Sequence, residues 1–177
     1  MRILTLTALF VTSIAVAVYS QSADEEVALA LRALPEEYRE GASVLAWRGE
    51  YEPEVLRKGT NGWTCAADDA EPGILVQCWF KTWDSVRMHF FGLVAEGTSR
   101  RDAWAKCEEG VKAGKLASPT PSVAFELVGL GPGGAQPFVL FHVPYATAES
   151  LGLSTQPDNQ RPWLMRAGRI NAHVMAH

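Results

Sequence analysis

Beyond its first twenty residues the chain has no apolar run near the ~20 residues that a bilayer helix needs, so no membrane insertion of the mature chain is expected. Basic residues are few and scattered, with 16 Lys and Arg against 20 Asp and Glu and a net charge of −4. That balance excludes a nucleic-acid surface as the expected partner. The familiar catalytic signatures G-x-S-x-G, H-E-x-x-H and C-x-x-C are missing, as is the calcium loop of an EF-hand. Internal repeats and low-complexity tails are also lacking. Cysteine is sparse: only Cys65, Cys78 and Cys107 occur, too few for a disulfide-built scaffold and enough for one bridge plus one thiol.

What the chain does have begins at its first residue. Met1-Arg2 is a short positive start, Ile3 to Val18 carries no charge, and Val18-Tyr19-Ser20 offers a cleavage site. This layout predicts a secretory signal peptide over residues 1–20 and export to the periplasm or the exterior. An uncleaved N-terminal anchor is the rival reading. Residues 21–177 then have the length of a single domain with a core of its own. In an oxidising compartment three single cysteine pairings are open. The short, turn-rich segment Ala66 to Gln77 favours Cys65–Cys78.

Periodicity predicts a helix over 23–33, with Asp24, Glu25 and Glu26 in its first turn. A helical turn opens at Pro35 and ends by Gly41, and Ser43 to Arg48 reads as a strand. Asn61-Gly62, between Val55–Arg57 and Trp63–Cys65, predicts a β-hairpin. Gly73 to Trp79 is a further strand. Trp79, Trp83, Val86, Phe90 and Val94 fall at helical spacing, and Ser99 caps a second helix running to Lys115. Trp104, Cys107 and Val111 share a stripe there, which points the odd thiol inward. Strands follow at 123–128, 138–143, 163–166 and 170–177, with a helical turn at 146–151. The predicted class is α+β: one domain with an N-terminal helix and hairpin, central helices, and a β-rich C-terminal half forming a mainly antiparallel sheet.

The ending Ile170-Asn171-Ala172-His173-Val174-Met175-Ala176-His177 alternates cleanly. As a strand it turns Ile170, Ala172, Val174 and Ala176 to the core, and Asn171, His173, Met175 and His177 to solvent. Imidazole and thioether together suit copper, so His173, Met175 and His177 form a candidate copper or haem set, with Met88 and His89 as further ligands. Alternate side chains stand roughly 7 Å apart, however, and the solvated strand is the favoured reading. Gly129 to Gly134 spells G-x-G-x-x-G but leads into a strand, without the helix that a dinucleotide site requires. Asp68, Asp69 and Glu71 read as a solvated turn. Of six tryptophans, Trp63 is the one placed to meet a ligand.

Gly59-Thr60-Asn61-Gly62-Trp63-Thr64-Cys65 and Ala172-His173-Val174-Met175 resemble blocks of a family of exported bacterial proteins whose activity is uncharacterised. Leu153 to Pro157 and Arg161 to Met165 extend the likeness. The resemblance implies export and a cysteine pair matching Cys65 and Cys78. It implies no activity. The function expected is therefore a non-catalytic binding or structural module, with no cofactor and an unknown partner. The alternatives are a small extracytoplasmic enzyme using His173 with Asn61 or Asp84 near Trp63, and a copper- or haem-binding protein. Asn61, Trp63 and His173 are the candidate ligand-binding residues.

Overall fold

The computed structural model describes residues 22–68, 74–129, 134–158 and 160–175. The leader expected over residues 1–20, acidic positions 69 and 71, positions 130–133 of the glycine-rich loop, and His177 lie outside these.

Local chemistry starts the fold. Ser22 caps helix α1 (Ala23–Leu31): its hydroxyl accepts from the Glu25 N–H while the Glu25 carboxylate accepts from the Ser22 N–H. This reciprocal box satisfies two otherwise orphaned donors. Pro35 then leads into α2 (Glu36–Arg39), a single turn. Strands β1 (Ser43–Ala46), β2 (Glu54–Arg57), β3 (Trp63–Asp68) and β4 (Ile74–Phe80) follow. Next come α3 (Asp84–Ala95) and α4 (Arg100–Lys112), the latter capped by Ser99 accepting from the Asp102 N–H. The chain closes with β5 (Ser122–Gly129), β6 (Gln136–His142), α5 (Ala148–Leu151), β7 (Trp163–Met165) and β8 (His173–Met175).

The eight strands of the described residues share one sheet in the order β2-β1-β3-β4-β5-β6-β8-β7. Among the described strand pairs only β1–β3 is parallel, and the rest are antiparallel. The α+β class and mainly antiparallel sheet expected from sequence are therefore what forms. Helices cover both faces. On one, Ala30, Leu31 and Leu34 pack on Val44, Cys65, Val76, Cys78 and Leu127. On the other, Val86, Phe90, Phe91, Ala103 and Cys107 pack on Ala66 and Trp79.

Three expectations are corrected. Asn61-Gly62 does not turn a hairpin, because β2 and β3 are not neighbours and β1 lies between them. The Asn61 amide instead donates to Tyr38 O (2.7 Å) and its Oδ1 accepts from the Trp63 N–H (3.0 Å). Thr60 and Asn61 N–H both donate to Gly41 O. The loop is thus stitched to the α2–β1 junction, which carries β3 to the far side of β1. Second, the helical spacing from Trp79 begins too early. Trp79 ends in β4, a 3-10 turn occupies Lys81–Trp83, and α3 starts at Asp84. These side chains still meet in one cluster, since a strand residue facing the helix layer joins the same core as the helix face above it. Third, among the described residues the terminal strand covers His173–Met175 and not 170–172, and its faces are not those expected, as described below.

Cys65 and Cys78 stand directly opposite in the β3–β4 ladder, Cα atoms 4.0 Å apart, and form a disulfide fully buried beneath α1. Closing that loop is worth about 3 kcal/mol in the chain-entropy picture. The double variant Cys65→Ala, Cys78→Ala is expected to unfold roughly 8 °C lower for a domain of this size. An unchanged melting temperature in calorimetry contradicts this. Cys107 is unpaired and buried, its S–H directed at Val86 O, and burial pushes its thiol up to about 12. It is a packing residue, as its helical stripe predicts.

Candidate functional site

Two features stand out on the α3/α4 side of the sheet: a buried polar seam and an open cleft. The seam centres on Arg87 in α3, which is 2% exposed. Its guanidinium donates to Gln77 Oε1 of β4 (3.0 Å) and to His142 Nε2 of β6 (3.1 Å). It also lies over the rings of Trp83 (5.6 Å) and Trp104 (5.2 Å). Gln77 in turn donates to Glu126 Oε1 of β5 (2.5 Å), its partner across the ladder. Arginine only donates, so His142 Nε2 accepts and the proton of its neutral form sits on Nδ1, which is buried without a partner among the described residues.

His173 joins this seam. It pairs with His142 across β6–β8, the two rings edge to face with centroids 5.7 Å apart. Its Nδ1–H donates to Asn171 O (2.9 Å). The expected solvated face is therefore reversed: His173 turns toward the helix-covered core, and Val174 takes the other face in register with half-exposed Phe141. Ile170 and Ala172 are buried as the alternation predicts, but Asn171 is buried with them because the chain turns here, the Ala172 N–H donating to Arg169 O (3.0 Å).

Burial holds His142 well below the ordinary imidazole value of 6.5, reinforced by the Arg87 charge and then by His173. Burial likewise lowers His173, with Arg87 and Arg166 adding to it. The folded state thus binds fewer protons at these rings than the unfolded chain. Their contribution to stability is complete above about pH 6.5 and is lost as pH falls below it. Glu126 and Asp84 are shifted upward, chiefly by burial, so they act in the opposite sense at lower pH, where the fold takes up their protons first. Stability is expected to fall between pH 6.5 and about 5, and His142→Gln, which keeps an acceptor for Arg87, to flatten that limb. A pH-independent denaturation midpoint across the window contradicts it.

The cleft, about 510 Å³, opens between the β2-β1-β3 edge and the start of α3. Leu45, Val55 and Met88 give it apolar walls, Gly59 a backbone floor, and Ser43, Thr64, Lys58 and Asp84 its polar groups. Ser43, Leu45 and Thr64 face α3 because β1 and β3 run parallel in register, Ser43 beside Thr64 and Leu45 beside Ala66. Asp84 opens α3, and its Oδ1 accepts from the Trp79 indole N–H (2.9 Å). Burial raises its carboxyl above the ordinary range, against the pull of that hydrogen bond and of Lys81.

The residues singled out from sequence are scattered. Asn61 is engaged with Tyr38 and Trp63 in the loop beneath the cleft. Trp63 packs among Tyr38, Phe80 and Phe125 on the α1 face. None of the six tryptophans is exposed. His173 lies on the opposite face and four strands away, roughly 19 Å at the usual strand spacing. Trp63 and His173 therefore do not meet, and among the enzyme candidates Asp84 lines the cleft at the start of α3. His89 meets the Tyr51 hydroxyl instead of the terminal strand. His177, and with it the third member of the His173–Met175–His177 set, lies outside the described residues. No cluster of three or more His, Cys, Asp or Glu suited to a metal occurs among the described residues.

Sequence reasoning missed Arg87, Gln77 and Glu126. A signal existed: Arg87 interrupts the apolar stripe of Trp83, Phe90 and Phe91, and Gln77 interrupts Ile74 to Trp79. A polar residue inside an apolar pattern marks a buried partner. Among the described residues no helix is long and apolar enough to cross a membrane. No family model, curated protein or solved structure matches the chain.

Proposed function

We propose that this protein is an exported, non-catalytic binding module that holds a small ligand in the cleft between the β2-β1-β3 edge and α3. The observation that carries the reading is the composition of that cleft. Apolar walls of Leu45, Val55 and Met88 surround a half-buried carboxylate and two hydroxyls, in a volume typical of small-molecule sites. The polar seam at Arg87 supports the same view from the other side. Its groups are largely satisfied by one another and shielded from solvent, so they hold the helix layer rather than meet a substrate.

Val55 lines the cleft yet is 51% exposed on edge strand β2, so Val55→Trp fills the space with little disturbance of the core. Native mass spectrometry of the exported protein from its own host is expected to find a stoichiometric small adduct on the wild type and none on Val55→Trp. A bare mass for both, or an adduct that survives the tryptophan, rejects the cleft as the site. Turnover of any extracytoplasmic substrate that Asp84→Asn abolishes would replace the binding reading with an enzymatic one.

A further inference from the structure

Resting on that reading of the cleft, we infer that its ligand is a small zwitterion, an aliphatic amino acid or dipeptide with both ends free. Its ammonium would lie on Asp84 and its carboxylate toward Lys58 and the hydroxyls. One oxygen of Asp84 is already filled by the Trp79 indole, which fixes the carboxylate and leaves its remaining capacity for a donor from the cleft. A carboxylate in a half-dry site, held above its ordinary range by burial, is stabilised most by a cation that also donates hydrogen bonds. A primary ammonium does both, while an anion or a bare acceptor would be repelled.

The other end has the opposite character. Lys58 is exposed on the loop after β2 while Asp84 opens α3, so the cleft takes its two charges from different walls. The Ser43 hydroxyl accepts from the Gly59 N–H (3.0 Å), which leaves its own hydrogen to donate. A lysine with hydroxyl donors nearby recruits a carboxylate and disfavours a simple amine. Between the ends, Leu45, Val55 and Met88 offer only apolar contact. An alkyl side chain fits that stretch and a sugar does not, because its hydroxyls would lose their water without new partners.

Isothermal titration at pH 7 with four probes separates the parts of this claim. Leucine and leucyl-leucine carry both charges, N-acetyl-leucine lacks the ammonium, and leucinamide lacks the carboxylate. At least one free zwitterion is expected to bind, with acetylation weakening it about tenfold or more and amidation less, since one end is solvated. Asp84→Asn, which keeps an acceptor for Trp79, is expected to erase the preference for the free amine. Lys58→Gln, at an exposed position, should erase the preference for the free carboxylate, with circular dichroism verifying both folds. Blocked analogues that bind as well as leucine, or variants that keep both preferences, overturn the assignment. If neither zwitterion binds nor displaces a host-derived adduct that Val55→Trp abolishes, the ligand class is wrong and the cleft stands. If there is no adduct and no probe binds, both fail.

Discussion

Arg87→Ala is expected to destabilise the fold by about 3–5 kcal/mol, the range for removing one member of a buried, hydrogen-bonded charged group. For a domain of this length that is a fall in melting temperature of roughly 12 °C. The truncation leaves Gln77 Oε1 and His142 Nε2 buried without their donor, removes a cation from between Trp83 and Trp104, and opens a void in the helix–sheet interface. Arg87 itself is unfavourably placed, since burial lowers its pKa to about 10 and no carboxylate lies within ion-pair distance of it among the described residues. Arg87→Met separates the effects. It restores volume and removes the buried charge, so it should recover part of the loss. Denaturant midpoints for the two variants check this, and an Arg87→Ala protein as stable as the wild type would show that the seam contributes nothing to the fold.

Gly59→Ala is expected to cost about 3–4 kcal/mol, roughly 3 from overpacking and 1 from a weakened hydrogen bond. A methyl group there would sit 2.3 Å from Ser43 N, 2.4 Å from Ala42 C and 2.5 Å from Gly41 O. These are backbone atoms and cannot swing aside as a side-chain tip does. The loop must lift away from β1, which breaks the Gly59 N–H to Ser43 hydroxyl bond and opens the cleft floor. Stability and ligand binding should therefore fall together. Gly134→Ala is the control: among the described residues nothing lies within 4 Å of the added atom, so the change should stay within about 0.5 kcal/mol. Thermal unfolding of the pair decides it, and equal melting temperatures would rule out the close approach.

Some of this was legible from sequence because it is local. Ser22 with Glu25, and Ser99 with Asp102, cap their helices through atoms three residues apart, so the motif carries its own partner. Strand positions followed from apolar runs and alternation. The Cys65–Cys78 pairing was favoured by a short turn-rich segment and was one of three open possibilities; the β3–β4 register decided it by setting the two residues opposite each other. Cys107 turned inward because helical spacing alone fixes which side of a helix it occupies.

What only the tertiary structure decided depends on which strands are neighbours. Asn61-Gly62 has the composition of a hairpin turn, yet its side chain and N–H groups bond to Tyr38 and Gly41, residues twenty or so positions earlier. That interleaves β1 between β2 and β3 and creates the cleft from residues 43 to 88. The terminal alternation correctly put His173 and Val174 on opposite faces. It could not say which face the helices would cover, since period two is the same for both. Arg87, Gln77, Glu126 and His142 come from one helix and three strands, and their meeting is set by sheet register across 65 residues of chain. Short-range patterns determine elements; which face is buried, and what meets there, is determined by long-range pairing whose partners no local window contains.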